Sequence, residues 1–380
     1  MTIPFAALLI LGLYTFVIGA ITKGWWTLNK FKPDISQDSV NVSVIVAVRN
    51  EEKHIEALLR GLLQQDYPAQ MYEVVIINDH SDDATAEQIE KALAKWNADQ
   101  SVKVIVLNLE EGKGKKAAVA KGIEVSTGEL ILLTDADCQF SKFWVKTMAD
   151  FYDIKMPQLI LGPVRMSNDE SFSGRMQSLE FISLIASGAG ACSKDFPIMS
   201  NGANMGVSRS AFFACGGFEG NMQYPSGDDM FLMMKIKKEF GVGSVKFIRA
   251  REAIVDTPAV DSFGEFIQQR LRWVSKSRGY TDPLLIAISI LVFLTNALLV
   301  SGLVLSLFFG EYANLTAWLF VIKMLVDMPL LYSFCKFVEQ KKLIWLVPIM
   351  EPLVAIYTLV IGIAGNLGVY QWKGRKIGRR

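Results

Sequence analysis

Uncharged apolar runs long enough to cross a hydrocarbon core stand near both ends of this sequence, and a more polar, alternating stretch lies between them. Ile3 to Ile21 carries no charge and approaches the ~20 residues that a helix needs to span a bilayer. Leu284 to Phe309 is longer and also uncharged. Leu315 to Phe334 carries Lys323 and Asp327 at i,i+4, which reads either as a mutually neutralised intramembrane pair or as a helix lying partly among headgroups. Leu343 to Tyr370 is apolar but interrupted by Pro348 and by Glu351-Pro352. Lys23, Lys30 and Lys32 follow the first run instead of preceding it, so residues 1–24 read as an uncleaved anchor and not as a signal peptide. The positive-inside rule then puts Met1 outside and the following domain in the cytoplasm, with Trp25 and Trp26 suited to the interface. The tail, residues 371–380, holds five basic residues and no acid. Three full crossings after a cytoplasmic domain would place that tail outside, against the rule. Leu343 to Tyr370 is therefore expected to enter and return, bending near its prolines, in a multi-pass protein of the inner or plasma membrane.

The middle of the chain has a different grammar. Ser43 to Val48, Glu73 to Ile77, Val102 to Leu107 and Leu130 to Thr134 are short apolar runs of the kind buried on both faces of a parallel sheet. Helical stretches follow them, ending near Gln65 and Trp96 and, after the third strand, beyond Lys116. Asn50 with Glu51 and Glu52 reads as a helix start. Strand and helix alternate, which predicts an α/β domain with a doubly wound, mostly parallel sheet over residues 38–258. Phe263 to Arg278 reads as a basic amphipathic helix, the centre of an interfacial region at 259–282, and membrane segments occupy 283–370.

In a parallel sheet the loops after the strands gather at one edge, where ligands of open α/β sheets bind. Those loops bring Glu51, then Asp79, then Lys113, Lys115 and Lys116 with two glycines, then Asp135 and Asp137. Acids take hydrogen bonds from a base or ribose, and a glycine-lysine loop suits phosphate. A D-x-D pair at a strand end can hold a hard divalent cation that keeps some water and bridges to phosphate. Taken singly, each loop has a plain structural reading: a solvated turn, a helix start at Asp82 and Asp83, solvated lysines. Gly112-x-Gly114-x-x-Ala117 with Asp135 about twenty residues on also matches a dinucleotide fingerprint. A complete strand–helix pair before it, three lysines within it and a second acid at Asp137 weigh against that reading. No P-loop motif occurs.

Composition excludes other classes. The net charge of +1 offers no field for nucleic acid. Cys138, Cys192, Cys215 and Cys335 contain no C-x-x-C pair, and His54 and His80 are the sole histidines, so a zinc site and a disulfide framework are not expected.

In order, Arg49-Asn50-Glu51, Asn78-Asp79-x-Ser81-x-Asp83-x-Thr85, Gly114-Lys115-x-x-Ala118, Asp135-x-Asp137, Asp228-Asp229 and Gln269-x-x-Arg272-Trp273 resemble the family 2 glycosyltransferases. The likeness is to the membrane-bound branch that includes cellulose, hyaluronan and ceramide glycosyl synthases, and it covers Val42 to Lys276. It implies a GT-A fold, a nucleotide-sugar donor that is often UDP-linked, Mg²⁺ or Mn²⁺, and inversion at the anomeric carbon. By the same resemblance Asp79 contacts uracil, Lys115 the nucleotide, Asp135 the sugar and ribose side, and Asp137 the metal, with Asp135 beside it. Asp229 is the general base. Gln269, Arg272 and Trp273 stand by the pyrophosphate and the acceptor channel. Two departures stand out: the paired acid is Asp-Asp where the family usually has Glu-Asp, which leaves the role of Asp228 open, and His80 replaces a small residue. The reading that results is transfer from a nucleotide sugar to a lipid or glycan acceptor. Alternatives are a processive polysaccharide synthase and a non-catalytic membrane scaffold that retains the fold.

Overall fold

The structure, a computed structural model, describes residues 2–32, 40–99, 101–167, 171–221, 224, 226–367, 370–372 and 375–377. The chain divides into one unit of Leu28–Ser167 with Met199–Pro258, and another of Met1–Thr27, Asn168–Ile198 and Ala259–Arg380. The sequence placed residues 168–198 within the 38–258 domain, whereas the described part, 171–198, groups with the apolar helices. Asp38, where that domain was expected to start, lies outside the described residues, as do Lys373, Arg379 and Arg380 of the basic tail.

The first unit is built on a seven-stranded sheet. Strands β1 (Val42–Val48), β2 (Tyr72–Asn78), β3 (Lys103–Asn108) and β4 (Leu130–Asp135) are joined to helices α2 (Ile55–Leu63), α3 (Thr85–Trp96) and α4 (Lys115–Val125). Their apolar runs are strands because both faces of the sheet are covered: every residue of β2 is buried, and β3, at the sheet edge, is only partly so. Following these are β5 (Gln139–Phe140), α5 (Trp144–Lys155), β6 (Leu159–Leu161) and β7 (Val164–Met166). After residue 199 come β8 (Met205–Ser208), α7 (Arg209–Ala214), α8 (Asp228–Phe240), β9 (Val245–Phe247) and β10 (Val255–Thr257). The sheet order is β3-β2-β1-β4-β8-β6-β9, and β5, β10 and β7 form a second, small sheet. The parallel register pairs Val48 with Asn78, Asn78 with Asn108 and Ala47 with Asp135, so four strands end at one level. The expected mostly parallel sheet is present, with one antiparallel member. Strand β8 runs against both β4 and β6, pairing Leu133 with Met205, and so delivers the residues just before Met205 to that same edge.

The second unit is helical: α1 (Thr2–Thr27), α6 (Phe172–Cys192), α9 (Phe263–Ser275), α10 (Pro283–Phe308), α11 (Ala313–Phe337) and α12 (Val347–Leu367). Four segments, Ala6–Thr27, Pro283–Phe308, Gly310–Phe337 and Lys341–Gly365, are long and apolar enough to cross a membrane. Among the described residues the expected entering-and-returning bend is not found. α12 is one helix of 21 residues, about 30 Å at 1.5 Å per residue. Pro348 falls in its first turn, where backbone N–H groups have no intrahelical partner to lose, and the helix continues through Pro352.

Of the two readings of Lys323 and Asp327, the buried pair is observed. Lys323 Nζ donates to Asp327 Oδ2 at 2.8 Å and to Glu351 Oε2 of α12 at 2.8 Å, while the Tyr14 hydroxyl of α1 donates to Asp327 Oδ1 at 2.7 Å. Glu351, an interruption in the sequence pattern, is thus a partner in a network that joins three helices.

α1 and α6 approach closely because both present glycine. A Cβ on Gly190 would lie 2.3 Å from the Ile21 carbonyl oxygen, and one on Gly24 would lie 2.2 Å from the Gly190 carbonyl oxygen. Backbone cannot move aside as a side-chain tip can. Gly190→Val should therefore lower stability by ~1–3 kcal/mol or more, read as earlier thermal unfolding of the detergent-solubilised protein. Gly12→Val is the control, since nothing lies within 4 Å of a Cβ there, and an equal loss in both would remove close packing as the cause.

Candidate active site

The common level of the strand ends brings four loops together in the first unit, and each is fixed by its own chemistry. The loop after β1 does not open a helix at Asn50 as expected. Asn50 adopts a left-handed φ of 52°, and its side chain pairs with Asp82, donating from Nδ2 at 2.6 Å and accepting the Asp82 N–H at 3.0 Å. The helix begins five residues later, at Ile55. Glu51 donates its N–H to Thr85 Oγ1 at 2.8 Å, and its carboxylate lies 2.9 Å from His54 Nδ1. Arg49 Nη1 donates to the carbonyls of Asp79 at 2.8 Å and His80 at 3.0 Å, tying the first loop to the second.

Asp79 is buried. One carboxylate oxygen accepts the Gly114 N–H at 3.0 Å and the other lies 3.1 Å from His80 Nδ1. Gly114, at φ 93°, is in a conformation L side chains rarely adopt, and it stands immediately before α4. That turn aims Lys115 at Asp135, with which it makes a close ion pair, and at Asp228 Oδ2, 3.8 Å away. Burial lowers the pKa of this ammonium, but Asp135, Asp228 and Asp229 outweigh it and hold the pKa above the usual lysine value.

The three lysines of this loop part company. Lys113 is exposed. Lys116, expected as a further phosphate cation, is buried and donates to the carbonyls of Asn221 at 2.8 Å, Tyr224 at 2.7 Å and Ser226 at 3.3 Å. It fastens the approach to α8, whose first two residues are Asp228 and Asp229. Gly227, left-handed at φ 89°, makes the turn into that helix. Both acids sit in the first turn, where the helix dipole favours negative charge, and Asp229 Oδ1 accepts the Met230 N–H at 2.8 Å.

Asp135 and Asp137 flank buried Ala136 at the end of β4. Among the described residues no group of three or more His, Cys, Asp or Glu is arranged to hold a metal unaided. Lys115 engages Asp135, so Asp137 is the D-x-D carboxylate from which a hard cation would be held, its other ligands coming from water and phosphate. Beside them, burial and then the charges of Asp137 and Asp135 push the Cys138 thiol pKa up.

The structure thus brings together Glu51, Asp79, Lys115, Asp135, Asp137, Asp228 and Asp229. Gln269, Arg272 and Trp273 belong to α9 of the helical unit. There Arg270, only 1% exposed, pairs with Glu180 of α6 and stacks on Trp273 at 4.1 Å and Phe266 at 4.6 Å. Gln269 accepts from Arg270. This arginine turns inward, where a basic surface helix would present it to headgroups.

Residues 201–204 were not singled out by sequence as part of the site. A Cβ on Gly202 would lie 3.1 Å from Lys115 Nζ and 3.7 Å from Asp228 Oδ2, so only the absence of a side chain leaves that space open. Asn204 anchors the turn, accepting from Trp144 Nε1 at 3.1 Å and donating to the carbonyls of Pro163 and Ala253. The small, Asn-flanked run Asn201-Gly202-Ala203-Asn204 was the available signal. A separate open cleft, lined by Tyr72, Glu73, Asn97 and Lys103, lies at the opposite edge of the sheet, away from these loops.

With this geometry in view, comparison with known proteins is informative. The sequence profile described as glycosyl transferase family 2 matches residues 43–215, and that of glycosyl transferase family group 2 matches residues 130–336, more than half of the chain. A poly-beta-1,6-N-acetyl-D-glucosamine synthase of Staphylococcus aureus is 35% identical over 167 residues, 42% of this chain and 37% of that protein. A poly(ribitol-phosphate) beta-N-acetylglucosaminyltransferase of the same species is 38% identical over 112 residues, covering 29% of this chain and 18% of that protein. The alignments therefore span little more than a third of the first relative's length and less than a fifth of the second's. A mannosyltransferase of Pyrobaculum calidifontis, solved with GDP-Man and Mn²⁺, shares the fold with a TM-score of 0.60 at 18% identity over 92% of this chain and 96% of that one.

Lys116→Met should leave three carbonyls without their donor and cost ~1–3 kcal/mol, visible as a lower unfolding temperature and faster proteolysis near Asn221. Lys113→Met should leave both unchanged. Equal sensitivity of the two would mean that Lys116 does not fasten this segment.

Proposed function

This chain belongs to glycosyl transferase family 2, and from that premise we propose that it moves a sugar from a nucleotide-sugar donor, UDP-linked, to a lipid or glycan acceptor with inversion. The observation that carries the reading is Lys115, held between Asp135 and Asp228 on the edge that also presents the D-x-D pair and Asp229. An ammonium among clustered carboxylates suits a diphosphate brought in with a divalent metal. In this reading Asp79 and its loop face the base, Asp135 and Lys115 the sugar and diphosphate, and Glu51 braces the first loop. Mg²⁺ or Mn²⁺ held through Asp137 would neutralise charge that develops on the leaving diphosphate.

Asp229 takes the acceptor hydroxyl proton as the acceptor oxygen bonds to the anomeric carbon and the bond from that carbon to the diphosphate oxygen breaks. Asp228, directed at Lys115, orients the ammonium and is not the base. Gln269, Arg272 and Trp273 keep the diphosphate- and acceptor-side roles that their motif implies, as assignments resting on sequence. The four apolar helices support a multi-pass membrane protein, and Lys23, Lys30 and Lys32 after the first of them favour a cytoplasmic catalytic unit by the positive-inside rule, whereas an unbent α12 sets the basic tail against it. A processive synthase is the second reading, favoured by the polysaccharide synthase relative. A ladder of products, as against one addition per acceptor, separates the two. A scaffold that only keeps the fold would release no UDP from any donor.

Release of UDP by the purified protein, tested against a donor panel with lipid extract and oligosaccharide acceptors, is the direct test. Asp137→Asn should abolish divalent-dependent donor binding in a folded protein, and donor affinity indifferent to EDTA would remove the metal from this account. Removing a general base costs ~100- to 10,000-fold in rate, so Asp229→Asn should lose turnover by that order while still binding donor. Asp228→Asn should lose less. The reverse ranking would make Asp228 the base.

A further inference from the structure

We propose that Arg270 and Glu180 are positioning residues for the transfer: together they lock the Gln269 amide with its N–H groups free to donate to a diphosphate oxygen. This rests on the nucleotide-donor reading above and deepens it. A guanidinium has five N–H donors and no acceptor. Here Nε donates to Glu180 Oε1 at 3.2 Å, Nη2 donates to Glu180 Oε2, and Nη1 donates to Gln269 Oε1. Because arginine can only donate, Gln269 meets it with its oxygen. The amide nitrogen Nε2 is then turned away from Arg270, and among the described residues no hydrogen bond from it is found. A pair of N–H donors held in this way suits an anionic oxygen.

Three helices hold the guanidinium in place. Phe266, Arg270 and Trp273 stand at i−4, i and i+3 and so share one face of α9. The Phe266 and Trp273 rings lie 4.6 Å and 4.1 Å from the guanidinium carbon. Phe181, next to Glu180 on α6, meets Trp273 at 5.9 Å between ring centroids. Tyr357 of α12 lies 5.6 Å from Phe266, and its hydroxyl faces Glu180 and Arg270. About two turns further along both helices, a Cβ on Gly365 would lie 2.8 Å from Val274 Cγ1, so α12 closes on α9 there as well.

Stability alone does not call for ions at this place. Apolar side chains of similar volume in place of a buried ion pair often leave stability unchanged or raise it. What they lack is a donor that sets the Gln269 amide. Lysine lacks it too, since its point charge has no planar fork to serve Glu180 and Gln269 together.

The test is calorimetric titration of the full chain in detergent with UDP and Mn²⁺, alongside thermal unfolding. Arg270→Met alone would leave Glu180 buried and unpaired, so the informative variant combines Arg270→Met with Glu180→Leu. It should unfold at or above the wild-type temperature and yet bind UDP roughly tenfold more weakly, the effect of one hydrogen bond lost. Gln269→Met should show the same loss. Added to the paired variant, it should weaken UDP by no more than about twofold further, because residues that act through one another are not additive. Arg270→Lys, which keeps a cation on Glu180, should lose affinity like the paired variant. Wild-type affinity for UDP in the paired variant or in Arg270→Lys overturns the proposal and leaves the pair a packing device. Losses that add between Gln269→Met and the paired variant also overturn it, as does unchanged affinity in Gln269→Met. Absence of UDP binding to wild type with Mn²⁺ or Mg²⁺ would defeat the UDP-donor reading itself, and this inference with it.

Discussion

The ion pair between Lys115 and Asp135, with Asp228 3.8 Å from the same ammonium, is the contact on which the arrangement of the edge depends. It joins the end of β4, the start of α4 and the start of α8, elements far apart in sequence. Opposite charges in a partly desolvated place attract strongly only if they are brought in together. Here the turns at Gly114 and Gly227 do that, one before each helix. Lys116, one residue further along, reaches the opposite way and secures the segment that leads into α8. Two adjacent lysines thus divide the work: one faces the acids and the other holds the chain that carries two of them.

The charge balance follows from this. Asp135, Asp228 and Asp229 gather around the Lys115 ammonium, with Asp137 two residues beyond the first of them, and the field they leave is one that a divalent metal with a diphosphate complements. The open space beside Gly202 lies against the same ammonium. Buried Asp79 also orders its loop, since its carboxylate accepts the Gly114 N–H and lies against the His80 ring.

The helical unit obeys the same rule in apolar surroundings. Lys323 is satisfied by Asp327 and Glu351, and Asp327 by Tyr14. Arg270 is satisfied by Glu180 and by the faces of Trp273 and Phe266. Lys323 joins the consecutive helices α11 and α12, Asp327 reaches back to α1, and Arg270 joins α9 to α6, so polar contacts together with close glycine packing at Gly24 and Gly190 specify which helices meet.

The sequence by itself determined what depends on local pattern. Apolar runs fixed β1 to β4 to within a residue or so, because strands covered on both faces must be continuously apolar. Alternation with helices fixed the loops to one edge, and the motif order was enough to identify the family. Lengths of uncharged residues located the helices able to cross a membrane. What only tertiary structure decided lies where distant segments meet. The direction of β8 brings residues 201–204 to the edge, and nothing in its four residues states that it runs antiparallel to β4. The inward turn of Lys116, the left-handed Asn50 in place of a helix cap, the continuity of α12 through its prolines and the pairing of Glu351 with Lys323 are of the same kind. In each the residue type permits several partners, and the fold supplies the one within reach.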